Sequence, residues 1–290
     1  MSATIAARLF LIVALSVVLQ GEASAAAGFA RMSDRQNVNF SQLASDAERA
    51  DVVLIGEVHD NKAHHDLQAA VIRSLLAKKI PIAIGFETMQ AESQKQLDDW
   101  TQGRVSEEDF KKVFAANWTY DWNLYRDIFI LARDNRIPLI ALNLPKEIVK
   151  KVSRKGYQSL SEQERKNLPK GTTCDLNNPH TEFLKKSFKE LFQNVASGRI
   201  FSYFCEAQTL RNSGMASNIK EYTLKHPERK FIALAGIWHA VKNAIPEQLE
   251  RNGSKLTSLV ILPEIAELRR ENATAAEADY MVGGAPEGSF

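Results

Sequence analysis

Five short apolar runs, at residues 51–56, 80–86, 137–142, 230–235 and 255–262, constrain this chain more than any other feature of it. A strand with one wet face alternates apolar and polar residues; these runs are nearly unbroken, which marks strands covered on both faces. After the first run, Leu67, Val71, Leu75 and Leu76 recur at helical spacing within residues 64–79. Strands separated by helical stretches predict an α/β protein with a mostly parallel central sheet flanked by helices.

The spacing of the runs is uneven. About fifty residues separate the second from the third, and nearly ninety separate the third from the fourth, far more than a simple crossover needs. The excess predicts an α-helical insertion or subdomain over about 145–225, with helices at 147–154, 161–166, 181–196 and 201–224. The main α/β domain is then expected over 26–271, and the Ala- and Gly-rich residues 272–290 as a frayed C-terminal tail.

The first residues follow a different logic. Arg8 leads into an apolar run from Leu9 to Leu19, and Ala23-Ser-Ala25 places small residues where a signal peptidase reads them. The run falls short of the roughly twenty apolar residues of a transmembrane helix. Residues 1–25 therefore read as a secretory signal peptide, and the mature chain as a soluble periplasmic or secreted protein. In such a compartment Cys174 and Cys205 form a disulfide or stay as two thiols; the sequence leaves both open. The 37 Lys and Arg against 35 Asp and Glu give a net charge of +2, which excludes the basic surplus of a nucleic-acid binder.

Open α/β sheets present ligands at the carboxyl ends of their strands. The first run ends in Gly56-Glu57-Val-His59-Asp, with His64-His65 following; the second in Gly85-Phe-Glu87; the fourth in Gly236-Ile-Trp-His239. Three strand ends thus deliver acids and imidazoles to one edge, and a shared pocket of Glu57, His59, Glu87 and His239 is expected. Any one of them alone reads as a solvated loop residue or helix cap. Two carboxylates directly after buried strands are harder to explain that way, because such acids are costly unless paired or ligated. Of the adjacent histidines, His65 is expected to face the pocket, sharing a helical face with Gln68; His180 and His226 are expected outside it. Gln208, Arg211, Met215 and Asn218 share one face of a later helix, which suits either a polar cavity or plain solvent.

These motifs occur together in a recognisable order. Gly56-Glu-Val-His-Asp with His64-His65 and Gln68, Phe86-Glu87, Asp121-Trp-Asn-Leu-Tyr-Arg, Asn143-Leu-Pro145, Glu206-Ala-Gln208 with Arg211-Asn-Ser-Gly-Met-Ala216, and Gly236-Ile-Trp-His239 resemble the ChaN-like haem-binding uptake proteins. The likeness runs from about 52 to 262. It extends to a superfamily holding the Tiki metalloproteases and erythromycin esterases, with one departure: Asn212 stands where relatives more usually have Asp.

The resemblance implies an exported homodimer that binds haem in a cleft or between subunits for bacterial iron acquisition, served by an outer-membrane haem receptor or another uptake component. It implies a Tyr or His ligand to iron. Tyr157, in the helical insertion, is the expected phenolate, with Tyr120 and Tyr125 as rivals; His59, His65, Gln208 and Arg211 are the further residues expected around the haem. A different class of function uses the same cluster: Glu57, His59, Glu87 and His239 holding Zn²⁺ or Mn²⁺, whose water attacks an ester or amide, with Glu57, Glu87 and His239 as the catalytic residues.

Overall fold

Each apolar run must find cover on both faces, and it does so in an eight-stranded sheet. The structure, a computed structural model, describes residues 28–169, 173–175, 177–191 and 198–283; the signal-like segment lies outside them. The strands are β1 (Gly28–Arg31), β2 (Asn37–Val38), β3 (Val52–Glu57), β4 (Ile82–Gln90), β5 (Leu139–Asn143), β6 (Lys230–Gly236), β7 (Ser258–Pro263) and β8 (Tyr280–Gly283). Their order across the sheet is β2-β1-β8-β7-β3-β6-β4-β5. From β8 to β5 every pairing is parallel; only β1 runs antiparallel, to β2 and β8.

Helices α1 (Phe40–Ala47), α2 (Lys62–Ala77), α3 (Gln94–Thr101), α4 (Glu107–Asn117) and α5 (Trp122–Asp134) cover one face. There Val53, Ile55, Ile84, Phe86 and Ile232 pack against Leu67, Val71, Trp100, Phe114 and Phe129. The alternate strand residues, among them Leu54, Ala83, Phe231, Ala233 and Leu262, face Met215 and Ile219 on the other side. That face is covered by α9 (Gly198–Lys225), α10 (Ile237–Ala240) and α11 (Ile245–Arg251). Two buried faces are why the central strands read as continuous apolar runs.

The long stretch after β5 holds α6 (Lys146–Lys155), α7 (Glu162–Arg165) and α8 (Pro179–Leu191) before α9 returns to the sheet. Leu144, Val152, Leu160, Ala207 and Leu210 form a satellite cluster beneath it. The two cysteines are bridged, with Cα atoms 5.5 Å apart, tying the segment before α8 to α9. The helix expected at 181–196 is described only as far as Leu191.

One expectation fails at the C-terminus. Residues 272–290 do not simply fray: Tyr280, Met281 and Val282 form β8, wedged between β1 and β7, where their side chains are buried. Residues 284–290 lie outside the described part. At the opposite end of the sheet β5 is the edge strand among the described residues. Gln94 covers it, its Nε2 donating to the Leu139 carbonyl at 2.8 Å and its Oε1 accepting from the Ala141 N–H at 2.9 Å.

Candidate functional site

Parallel register brings the acids together. Glu57 closes β3 opposite Gly236 of β6, and Phe86 of β4 lies opposite Leu234, so Glu87 emerges next to the same strand end. Both carboxylates are buried, with 2% and 1% of their surface exposed, and both are fully occupied. Glu57 Oε1 accepts from the Tyr125 hydroxyl at 2.5 Å and lies 2.8 Å from His59 Nδ1, while Oε2 accepts from Gln68 Nε2 at 2.7 Å. Glu87 Oε2 accepts the Gly236 N–H at 2.6 Å, and Oε1 is ion-paired with the Arg211 guanidinium. Arg211 also donates to Gln208 Oε1 at 3.1 Å and Asn143 Oδ1 at 3.3 Å, and Asn143 Nδ2 donates to the Glu87 carbonyl at 3.0 Å.

Burial alone would raise both acids; their partners reverse it. At Glu87 the His239, Arg211 and His59 environment and the Gly236 N–H hold the carboxyl at about 2. Burial also presses on Glu57, but the His59 bond and the nearby imidazoles keep it below the usual carboxylate range. For His59, burial lowers the pKa, and the bond to Glu57 with the charge of Glu87 outweighs it, leaving it raised. Burial, with the Glu57 charge beside it, pushes the Tyr125 phenol far above its ordinary value.

His239 is held differently. Its Nδ1 lies 2.5 Å from Asn212 Oδ1 and its Nε2 3.5 Å from Glu87 Oε1. Burial lowers its pKa to about 3, so the ring is neutral, with Nδ1–H donated to Asn212. The Asn212 amide is neutral and offers no charge that would draw a second proton onto the imidazole.

Above this floor opens a cavity of about 570 Å³ lined by Glu57, Val58, His59, Glu87, Trp118, Tyr120, Ser187, Gln208, Arg211, Gly236, Ile237, Trp238, His239, Ile265 and Glu267. The His59 ring stands edge-on to Trp118, with centroids 4.9 Å apart, and beside Tyr120 at 5.2 Å. A Cβ on Gly236 would fall 2.8 Å from His59 Cε1, so glycine is what lets that ring lie over the strand end. Trp118 and Ser187 line the cavity, and their buried Nε1 and Oγ atoms have no hydrogen-bond partner among the described residues.

The expected residues thus divide. Glu57, His59, Glu87, Gln208, Arg211 and His239 meet in one cavity. His65 does not line it: the ring is buried, 3.1 Å from the His59 carbonyl by Nε2 and 3.2 Å from Gln68 Oε1 by Nδ1, and so braces the strand end from behind. His64 accepts the Val58 N–H at 2.9 Å, and burial lowers its pKa to about 4. His180 is spent on the Trp238 carbonyl at 2.7 Å, and His226 lies by Glu228. Tyr157 also lies outside the cavity. Its N–H donates to Glu206 at 2.6 Å and Arg165 covers its ring, because Glu206, Ala207 and Leu210 turn toward α6 while Gln208 and Arg211 turn toward the sheet.

The metal expectation finds no support in the structure. Among the described residues no group of three or more His, Cys, Asp or Glu is placed to hold a cation. Glu57 and Glu87 spend their carboxylate oxygens on protein donors, and Arg211 places a positive charge beside Glu87. Metal-dependent hydrolysis by Glu57, Glu87 and His239 gains no support from this arrangement.

A sequence model of the family described as haem-binding uptake, Tiki superfamily, ChaN matches residues 43–249. The chain belongs to this ChaN family. Among solved structures, ChaN of Campylobacter jejuni, described for its cofacial haem binding, superposes with a TM-score of 0.71 at 17% identity, covering 89% of this chain and 96% of that one. The erythromycin esterase EreC, as a point mutant in its open conformation, gives a TM-score of 0.49 at 13% identity over 81% of this chain and 76% of the other. The chloroplastic protein RETICULATA-RELATED 5 of Arabidopsis thaliana is 24% identical over 249 residues; that match takes in 80% of this chain but spans only about a third, 34%, of the plant protein.

Several parts of the site escape a reading of strand ends. Tyr125 sits among aromatic core residues and shows no sign in the sequence of bonding to Glu57. Ser187, Ile265 and Glu267 reach the cavity from α8 and from the loop after β7. Asn143 was within reach, as it ends β5 just as Glu57 ends β3.

Proposed function

We propose that this ChaN-family protein is an exported haem carrier serving bacterial iron acquisition, with haem as its cargo. The observation that carries the reading is the cavity at the carboxyl edge, walled by Trp118, Tyr120, Ile237, Trp238 and Ile265. Its volume of about 570 Å³ falls in the range of small-molecule sites, and aromatic and aliphatic walls suit a flat apolar macrocycle. Val58 and Tyr120 extend the apolar surface outward at the mouth, at 36% and 40% exposure. The Cys174–Cys205 bridge and the signal-like start support an oxidising compartment.

The iron is assigned to a phenolate. Tyr125 is excluded by its bond to Glu57. Tyr120 serves if haem seats in the mouth of a single chain, and Tyr157 if it is held between two copies. His59, fixed through Nδ1 by Glu57, borders the macrocycle, and Arg211 with Gln208 forms the wall behind. An outer-membrane receptor or another uptake component is the expected partner.

The test is a haemin titration of the mature protein read by the Soret band, with Tyr120→Phe and Tyr157→Phe alongside and gel filtration before and after loading. Saturable binding, weakened about tenfold or more by one of the two substitutions, is expected. Loss in Tyr157→Phe with a doubled apparent mass assigns the shared arrangement, and loss in Tyr120→Phe without it assigns the mouth. Absence of saturable haemin binding rejects the function.

A further inference from the structure

We propose that the outward face of α6 docks on the surface of an anionic lipid bilayer. Residues 146–166 hold seven Lys and Arg against three Glu, a charge of +4 in a chain whose total is +2, so the rest of the sequence sums to −2. The fold turns that surplus to one side. Ile148, Val149 and Val152 pack into the satellite cluster with Ala207 and Leu210 of α9. Lys146, Lys150 and Arg154, spaced by four residues, then share one exposed ridge, and Lys155 and Lys166 are exposed as well. The acids of the segment do not cancel them. Glu164 is taken by Lys151 at 2.7 Å, and Glu147 reaches only Lys150, at 3.8 Å. Glu162 alone is left against Lys146, Arg154, Lys155 and Lys166, none of which has an acidic partner among the described residues.

This face costs the helix stability. Like charges four residues apart repel, and Lys146 stands in the first turn, at the positive end of the helix dipole, where Pro145 offers no side-chain cap. An anionic surface relieves the repulsion. The kind of surface follows from the residue types. Protein interfaces are anchored by aromatic side chains, Met and Arg and are depleted in Lys. The ridge is mostly Lys, and none of the exposed large apolar side chains among the described residues lies on α6 or α7. A bilayer's diffuse negative potential asks only for clustered Lys and Arg. Because α6 packs on the stretch of α9 whose other side lends Gln208 and Arg211 to the cavity, docking by this face also keeps the cavity close to the membrane.

The proposal is independent of the haem reading, and every arm of its test is run on haem-free mature protein with the disulfide intact. The protein is sedimented with vesicles of phosphatidylcholine containing about 30% phosphatidylglycerol, and with vesicles of phosphatidylcholine alone, at about 50 and about 500 mM salt. Binding is expected on the anionic vesicles only, and is lost at the higher salt. Lys146→Gln, Lys150→Gln and Arg154→Gln combined should weaken it about a hundredfold, at roughly fivefold per charge, with the melting temperature unchanged or raised. Lys95→Gln, Lys111→Gln and Lys112→Gln combined remove the same charge from α3 and α4, on the other face of the sheet, and should weaken it by no more than about fivefold. No sedimentation with anionic vesicles, equal sedimentation with neutral ones, binding retained in the α6 variant, or an equal loss in the α3 and α4 variant overturns the proposal. Polyglutamate held by the parent and released by the α6 variant, with no vesicle binding, overturns it in favour of an acidic protein partner.

Discussion

His239 shows how one side chain sets the acid behaviour of the site. Its ordinary value of 6.5 falls to about 3 in the folded protein, so between those limits the unfolded chain takes up a proton that the folded chain refuses. Stability then falls as pH drops through that window, by about 1.4 kcal/mol per pH unit for each such group. His64 acts in the same direction between 6.5 and about 4. Glu87, ordinarily 4.5 and here about 2, contributes stability above 4.5 that is lost as pH falls toward 2. Urea unfolding as a function of pH should therefore show a steep acid limb beginning near 6.5. Asn212→Asp, which sets a carboxylate against His239 Nδ1, should raise the histidine's pKa and flatten the upper part of that limb. A limb unchanged in this variant would mean that the Asn212 contact does not govern the proton. Asn212 was visible in the sequence only as a departure from its relatives; its partner was not, because the two lie 27 residues apart and meet through tertiary packing.

Among the elements, legibility follows cover. The central strands β3, β4, β6 and β7 and the edge strand β5 were readable because burial on both faces leaves an apolar run that no other element explains. Strands β1, β2 and β8 have four, two and four residues, too few to show a period, and their place depends on one another rather than on local sequence. Gln94 belongs to this scale too. Strand β5 is an edge, and unpaired edge groups are templates for another chain. The Gln94 amide answers one N–H and one C=O there, imitating the ladder of a ninth strand. Replacing it by Ala should leave the monomer folded but promote concentration-dependent self-association, seen as growing light scattering at constant circular dichroism. Scattering equal to that of the parent would show that the edge is protected by other means.

At the scale of the molecule, the C-terminal strand closes a sheet that the rest of the chain leaves open. β8 is the only described link between the β1–β2 pair and β7. A chain ending at Asp279 loses the buried Tyr280, Met281 and Val282, each contributing about 1.5–3 kcal/mol. Relative to a chain ending at Gly283 it should unfold at markedly lower urea concentration, or be recovered insoluble; equal midpoints would show that β8 adds nothing. The site depends on such long-range closure as well. Tyr125 reaches Glu57 across 68 residues, Arg211 reaches Glu87 across 124, and the Gly236 N–H across 149. None of these pairs can form until distant strands have found their register, which is slow because chain closure must precede the contacts that reward it. If the acids are neutralised only after that closure, Arg211→Ala should speed unfolding more than it slows refolding in stopped-flow urea jumps, and an equal effect on refolding would place the pair in the transition state. Interactions absent from the transition state govern how fast a protein comes apart rather than how fast it assembles. On that outcome the ion pairs at the strand ends would act as a kinetic latch, holding shut a fold whose rate of formation is set elsewhere.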